Sequence, residues 1–191
     1  MENQESEEKK LKYESSAYHT VLHKNPIVRI YFRKKFNKIK KFAELNKEDL
    51  ILDFGCGDKW LKKVLAGYNV IGYDVNPKQT EVEDFRTLHP DKIFLIDVFE
   101  HIPLEGIKSI IKDFKKMNPN VEIITSIPTE NWISRKIRVL VGKQERAPDH
   151  VTSLKEIWPL LNSEMELIKK ANFLTIAWLA RFKSKTNSEQ P

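Results

Sequence analysis

A single cysteine, Cys56, in 191 residues excludes an intrachain disulfide and a zinc site built from cysteines. No apolar run is long enough to cross a bilayer. Met1 to Lys10 is acidic and polar. It has no apolar stretch behind a basic start, so it does not read as a signal peptide. No internal repeat and no Gly/Ser linker divides the chain. One domain is therefore expected over residues 13–182. Tails at 1–12 and 183–191, charged and poor in apolar residues, are expected to be disordered. With these absences, the cytoplasm is the expected location. Against them stand 40% hydrophobic and 31% charged residues, the balance of a soluble chain with one core.

Charge is unevenly spread. The net value is +6, and between Lys24 and Lys41 there are eight Lys/Arg and no acid. A solvated helix face explains such a run as well as an anionic substrate, a membrane surface or RNA does. Within it, Val28, Tyr31, Phe32, Phe36, Ile39 and Phe42 recur at helical spacing, so Ile27 to Ala43 is expected to be an amphipathic helix started by Asn25-Pro26.

Beyond this helix, strands and helices alternate. Leu50–Phe54, Asn69–Tyr73, Ile93–Val98 and Val121–Ile127 read as strands, with a weak one at Thr80–Phe85. Trp60–Ala66, Trp132–Val141 and Leu154–Leu161 read as helices. Another helix starts at Pro103, with Leu104, Ile107, Ile110, Ile111, Phe114 and Met117 on one face. Met165 to Phe182 reads as two strands turning near Asn172. Alternation of this kind predicts an α/β fold with a mostly parallel, doubly wound sheet. Ligands of such sheets sit beyond the carboxyl ends of the strands at the switch point.

The residues at those ends carry chemistry. Ile51 to Asp58 reads ILDFGCGD, a buried strand into Asp53 and then Gly55-Cys56-Gly57. Glycine allows a sharp turn and a close ligand approach. The helix start after it suits a carboxylate, and Asp53 suits an ammonium. Asp74 ends the second strand, 21 residues after Asp53, where an acid accepts bonds from ribose hydroxyls. Trp60 replaces the last small residue of a dinucleotide fingerprint, and no base directly follows Asp74 to meet a ribose phosphate. The next strand leads into Asp97-Val98-Phe99-Glu100-His101-Ile102.

These three motifs, in this order, resemble the class I S-adenosylmethionine-dependent methyltransferases, and the last resembles their small-molecule branch. The resemblance spans roughly Leu50 to Val151. It implies a Rossmann-like seven-stranded sheet whose last strand is antiparallel, trimmed here around the third strand. It implies S-adenosylmethionine as cofactor, held by Asp53, Gly55, Cys56, Gly57, Asp74, Asp84, Phe85, Asp97 and Val98. Asp84 would bond the adenine amino group and Phe85 would pack near the ring. Lys59 departs from the pattern, standing where a third glycine usually lies.

Residues 128–150 read as a lid-like insertion in which Trp132, Ile133, Ile137, Leu140 and Val141 alternate with basic residues. An Asp-His step, here Asp149-His150, recurs after this insertion in the same branch. His101 and His150 are the candidate general bases, with Glu100 orienting one of them or the substrate. No metal ligand is assigned. With the basic helical cover over 13–45, the insertion predicts a positive, apolar rim. That suits a small-molecule or lipid-like acceptor and peripheral contact with an anionic membrane surface. No specific nucleic acid is expected, since the Asn/Asp-Pro-Pro-aromatic pattern of base methylation is missing and Cys56 lies in the cofactor loop. Two other readings remain open: a non-catalytic module of this fold with a partner or RNA surface, and an NAD-binding oxidoreductase.

Overall fold

The computed structural model describes residues 25–129, 131, 132, 135, 136 and 150–185. The expected tail at 1–12, the start of the basic cover at 13–24, most of the insertion over 128–150 and residues 186–191 lie outside the described residues.

Helix α1 is Pro26–Ala43, with the Asn25 side chain accepting from the Ile27 amide as its N-cap. Strand β1 is Leu50–Phe54, α2 is Trp60–Val64 and β2 is Asn69–Tyr73. Strand β3, Lys92–Ile96, leads through a short 3-10 turn at Phe99–His101 into α3, Leu104–Met117. Strand β4 is Glu122–Pro128, α4 is Leu154–Glu164, β5 is Met165–Phe173 and β6 is Ala177–Ser184.

Among the described residues the sheet has six strands in the order β2-β1-β3-β4-β6-β5. The first four run parallel, and β6 is antiparallel to both β4 and β5. The antiparallel hairpin is as expected; the count of seven is not. Thr80–Phe85 forms no strand. The Glu81 amide makes one bond to the Gly72 carbonyl (2.8 Å), and the Glu81 carboxylate accepts from the Gly72 amide (2.8 Å). A side chain thus satisfies the β2 edge where a neighbouring strand would otherwise do so. At the other end of the chain the strand outlasts its apolar pattern. Lys183 and Ser184, read as tail, belong to β6, where the Ser184 amide donates to the Val121 carbonyl (3.0 Å).

Alternation along the strands sends neighbours to opposite faces. Leu52, Ile93, Leu95 and Ile123 pack under α3 and α4; Ile51, Phe94, Ile124 and Leu179 pack under α1 and α2. Both faces are covered, as a doubly wound sheet requires. Away from the switch point, Lys92, Glu122 and Arg181 tie β3, β4 and β6 together by ion pairs of 2.6 and 2.9 Å.

The chain passes from β1 outward to β2 and returns to β3 on the other side of β1. The crevice therefore opens beyond the carboxyl ends of β1 and β3, where Asp53 lies next to the last residue of one strand and Asp97 follows the other.

Candidate active site

The turn after β1 takes a left-handed backbone at alternate positions: Gly55 (φ 77°), Gly57 (φ 46°) and Lys59 (φ 55°). Gly55 is obligatory for space as well, since a Cβ there would sit 2.6 Å from Val98 Cγ2. Val98, at the exit of β3, is thus pressed against the turn of β1. Gly57 faces open space. Lys59 itself holds a left-handed backbone and turns its ammonium to Glu81, 3.4 Å away.

Asp74 closes the loop from β2. Its carboxylate accepts from the Gly57 amide (3.0 Å) and the Asn76 amide (2.9 Å). Asp53, Asp74 and Glu81 crowd this corner with negative charge. Burial, reinforced by Asp74 and then Glu81, pushes the Asp53 carboxyl up to about 7. The same surroundings push the Cys56 thiol up to about 12, so it stays protonated and unreactive at neutral pH. A cationic ligand relieves this corner; a pyrophosphate aggravates it.

The Asp53 effect has a sign that melting curves test. Its folded value lies above the unfolded one, so the native state holds a proton that the unfolded chain releases between about pH 4 and pH 7. Asp53 therefore costs the ligand-free protein stability as pH rises through that window, by about 2–4 kcal/mol. Asp53→Asn is expected to melt higher than the parent at pH 8, with the difference shrinking at pH 5 as the parent's carboxyl gains its proton.

Two of the expected cofactor residues are used differently. Asp84 caps the 3-10 turn Phe85–Thr87, accepting from the Arg86 amide (3.0 Å) and pairing with the Arg86 guanidinium (3.1 Å). Phe85, 3% exposed, packs among Phe54, Tyr73 and Phe114 and has no ring face open to a base. Burial with three other rings holds it in the core, under the strand ends.

On the β3 side, Asp97 adopts φ 57° and its Oδ1 accepts from Ser126 Oγ on β4 (2.9 Å). The same carboxylate pairs with Lys35 of α1, through Oδ1 at 2.6 Å and through Oδ2 as well. Lys35 is fully buried, with Tyr31 and Phe32 rings about its ammonium at 6.0 and 5.9 Å. Burial alone would lower its pKa, but Asp97, then Tyr31, outweigh that and leave it raised. Lys35 thus lies outside any solvated face of the basic run. The signal was its position: Lys35 lies four residues after Tyr31 and four before Ile39, on the apolar stripe.

Beyond Asp97, the 3-10 turn presents Glu100, buried, and His101, exposed. The Val151 and Thr152 amides donate to the Glu100 carbonyl (2.8 and 3.2 Å), and Thr152 Oγ1 donates to the Ile102 carbonyl (2.7 Å). These bonds bring His150 to the turn. Its ring meets that of His101 edge to face, with centroids 5.0 Å apart. Two adjacent residues and a third about 50 positions on thus share one corner at the end of β3.

The arrangement defines a Rossmann-like protein whose switch-point crevice suits a positively charged ligand with a ribose. Its relatives agree. A family model described as "methyltransferase domain" matches residues 27–182, and the chain belongs to that family. It is an enzyme of methyl transfer. No curated protein sequence matches it. Among solved structures it is similar to the magnesium protoporphyrin IX methyltransferase of Synechocystis PCC 6803 with bound SAH, at 15% identity and TM-score 0.59 over 84% of this chain and 88% of that one. It is also similar to a SAM-dependent methyltransferase from Aquifex aeolicus, at 15% identity and TM-score 0.56 over 78% and 89%. The small RNA methyltransferase HEN1 matches at 16% identity and TM-score 0.61, over 83% of this chain and 26% of that one.

Proposed function

We propose that the protein methylates an oxygen atom of a small-molecule or lipid-linked acceptor at the carboxyl end of β3. The observation that carries this reading is the meeting of His101 and His150 over Glu100, directly after Asp97. S-adenosylmethionine supplies a methyl group on a sulfonium, which takes up an electron pair as the methyl leaves. Asp53 and the Gly55–Gly57 turn would hold its amino acid end, and Asp74 its ribose. The charge of the pocket fits: its buried carboxylates would offset an ammonium and a sulfonium.

The chain's own work is positioning and removal of a proton. A hydroxyl acceptor is a poor nucleophile until its proton leaves, and an imidazole is suited to receive it near neutral pH. Lys35 and Asp97 cross-link α1 to the strand ends, so the cover is held over the crevice by a charge pair as well as by apolar packing. A screen of hydroxylated acidic and lipid-linked compounds with methyl-labelled cofactor tests the reading. An ether or ester product supports it; label found only on nitrogen or carbon overturns it.

The rim favours lipid-linked or acidic acceptors. On α1, Ile27 and Ile30 are 68% and 54% exposed beside exposed Arg33 and Lys34. Trp132 is exposed with the Lys136 ammonium 5.0 Å from its ring centre. Among the described residues no helix is long and apolar enough to cross a membrane, so contact of this kind is peripheral. Vesicles containing anionic lipid are expected to sediment the protein at low salt and release it at high salt. Failure to sediment at low salt removes the membrane contact.

A further inference from the structure

We propose that Glu100, His101 and His150 form a binding site for one first-row divalent transition ion, of the Zn²⁺ or Co²⁺ kind. This rests on the reading of the corner as the acceptor's end and changes how that corner acts. One ligand atom from each residue lies within 4.8 Å of the other two. Ligands about 2.0–2.2 Å from a common ion lie about 3.5 Å apart, so small rotations of three side chains complete the site. The donor set is two imidazoles and one carboxylate. That set favours borderline ions such as Zn²⁺ or Co²⁺, whereas Mg²⁺ and Ca²⁺ prefer oxygen alone.

The surroundings support a site of this type. The backbone bonds from Val151 and Thr152 to Glu100, and from Thr152 to Ile102, fix the two ligand segments against each other. Glu100 is 2% exposed while His101 is exposed, so the site is anchored inside and open outside. Three protein ligands leave coordination positions open, the pattern of catalytic sites. The nearby Lys35 ammonium is neutralised by Asp97 and so adds no unbalanced positive charge. An acceptor hydroxyl bound at an open position would lose its proton to water more readily. Its oxygen lone pair would then form the bond to the methyl carbon while the carbon–sulfur pair returns to sulfur. The two histidines would act as ligands in place of a base.

The test titrates the chelator-treated full chain with Co²⁺, read by visible absorption, and with Zn²⁺ in competition, using Mg²⁺ as a control. One equivalent of Co²⁺ is expected to bind and Zn²⁺ to displace it, with Mg²⁺ inert. His150→Ala and Glu100→Gln are expected to weaken Co²⁺ binding by at least about tenfold. His150→Ala, on the exposed side of the corner, serves as the variant expected to fold. Its melting curve and binding of S-adenosylhomocysteine should match the parent's. No Co²⁺ binding by the parent, or equal binding by His150→Ala, overturns the site. Cofactor binding in the same samples separates the two ideas: its retention without metal binding sinks the metal site alone, and its loss in every sample sinks the methyltransferase reading.

Discussion

Asp97→Ala is expected to lower the stability of the protein by about 3–5 kcal/mol, the cost of removing one partner from a buried pair. The reason is asymmetric burial. The Lys35 side chain is 2% exposed and that of Asp97 31%, so the variant leaves an ammonium inside the protein with its main counter-charge gone. Ser126 Oγ loses its acceptor in the same step. The raised pKa of Lys35 gives the sign of the pH dependence. The pair's stabilisation is complete below the unfolded lysine value near 10.4 and is lost as pH rises through the higher folded value. Urea melts at pH 7 and above pH 10 check both points. The double variant Lys35→Met with Asp97→Ala should regain part of the loss, because the uncompensated charge is gone. Equal stability of parent and Asp97→Ala would mean that α1 is held by its apolar face alone.

The second large effect is on turnover. His101→Ala and His150→Ala are each expected to slow methyl transfer by about 10²–10⁴-fold. Cofactor affinity should stay unchanged, since neither ring belongs to the Asp53–Asp74 corner. The expectation holds whether an imidazole takes the proton itself or helps to hold an ion that releases it. Single-turnover rates at saturating cofactor isolate the chemical step from binding. Parent-like rates in both variants would remove this corner from the reaction.

How far these features can be read in the sequence depends on their range. Strands β1 and β2 end at Phe54, just after Asp53, and at Tyr73, just before Asp74, because apolar runs stop at glycine or acid, a local pattern. Glu100, His101 and His150 are each legible as candidates through a family resemblance, but their meeting is not, because the bonds from Val151 and Thr152 that create it leave no local mark. Lys35 was visible only as one base among eight; its partner lies 62 residues away. The segment Thr80–Phe85 carried an apolar residue at Val82 and another at Phe85, enough to suggest a strand. Glu81 instead completes the β2 edge with its side chain, an option that periodicity cannot represent. Phe85 was placed beside the ligand by analogy, yet the rings of Phe54, Tyr73 and Phe114 enclose it. Long-range packing decided each of these cases.

The proposed chemistry depends on the corner between β1 and β2 accepting S-adenosylmethionine. Calorimetric titration of the full chain with S-adenosylmethionine and S-adenosylhomocysteine, beside NAD, tests that most directly, with Asp74→Ala as the control. The account predicts micromolar binding of both adenosyl compounds, none of NAD, and loss of binding in Asp74→Ala. Binding of NAD, or no binding of either adenosyl compound by a folded parent, would contradict it.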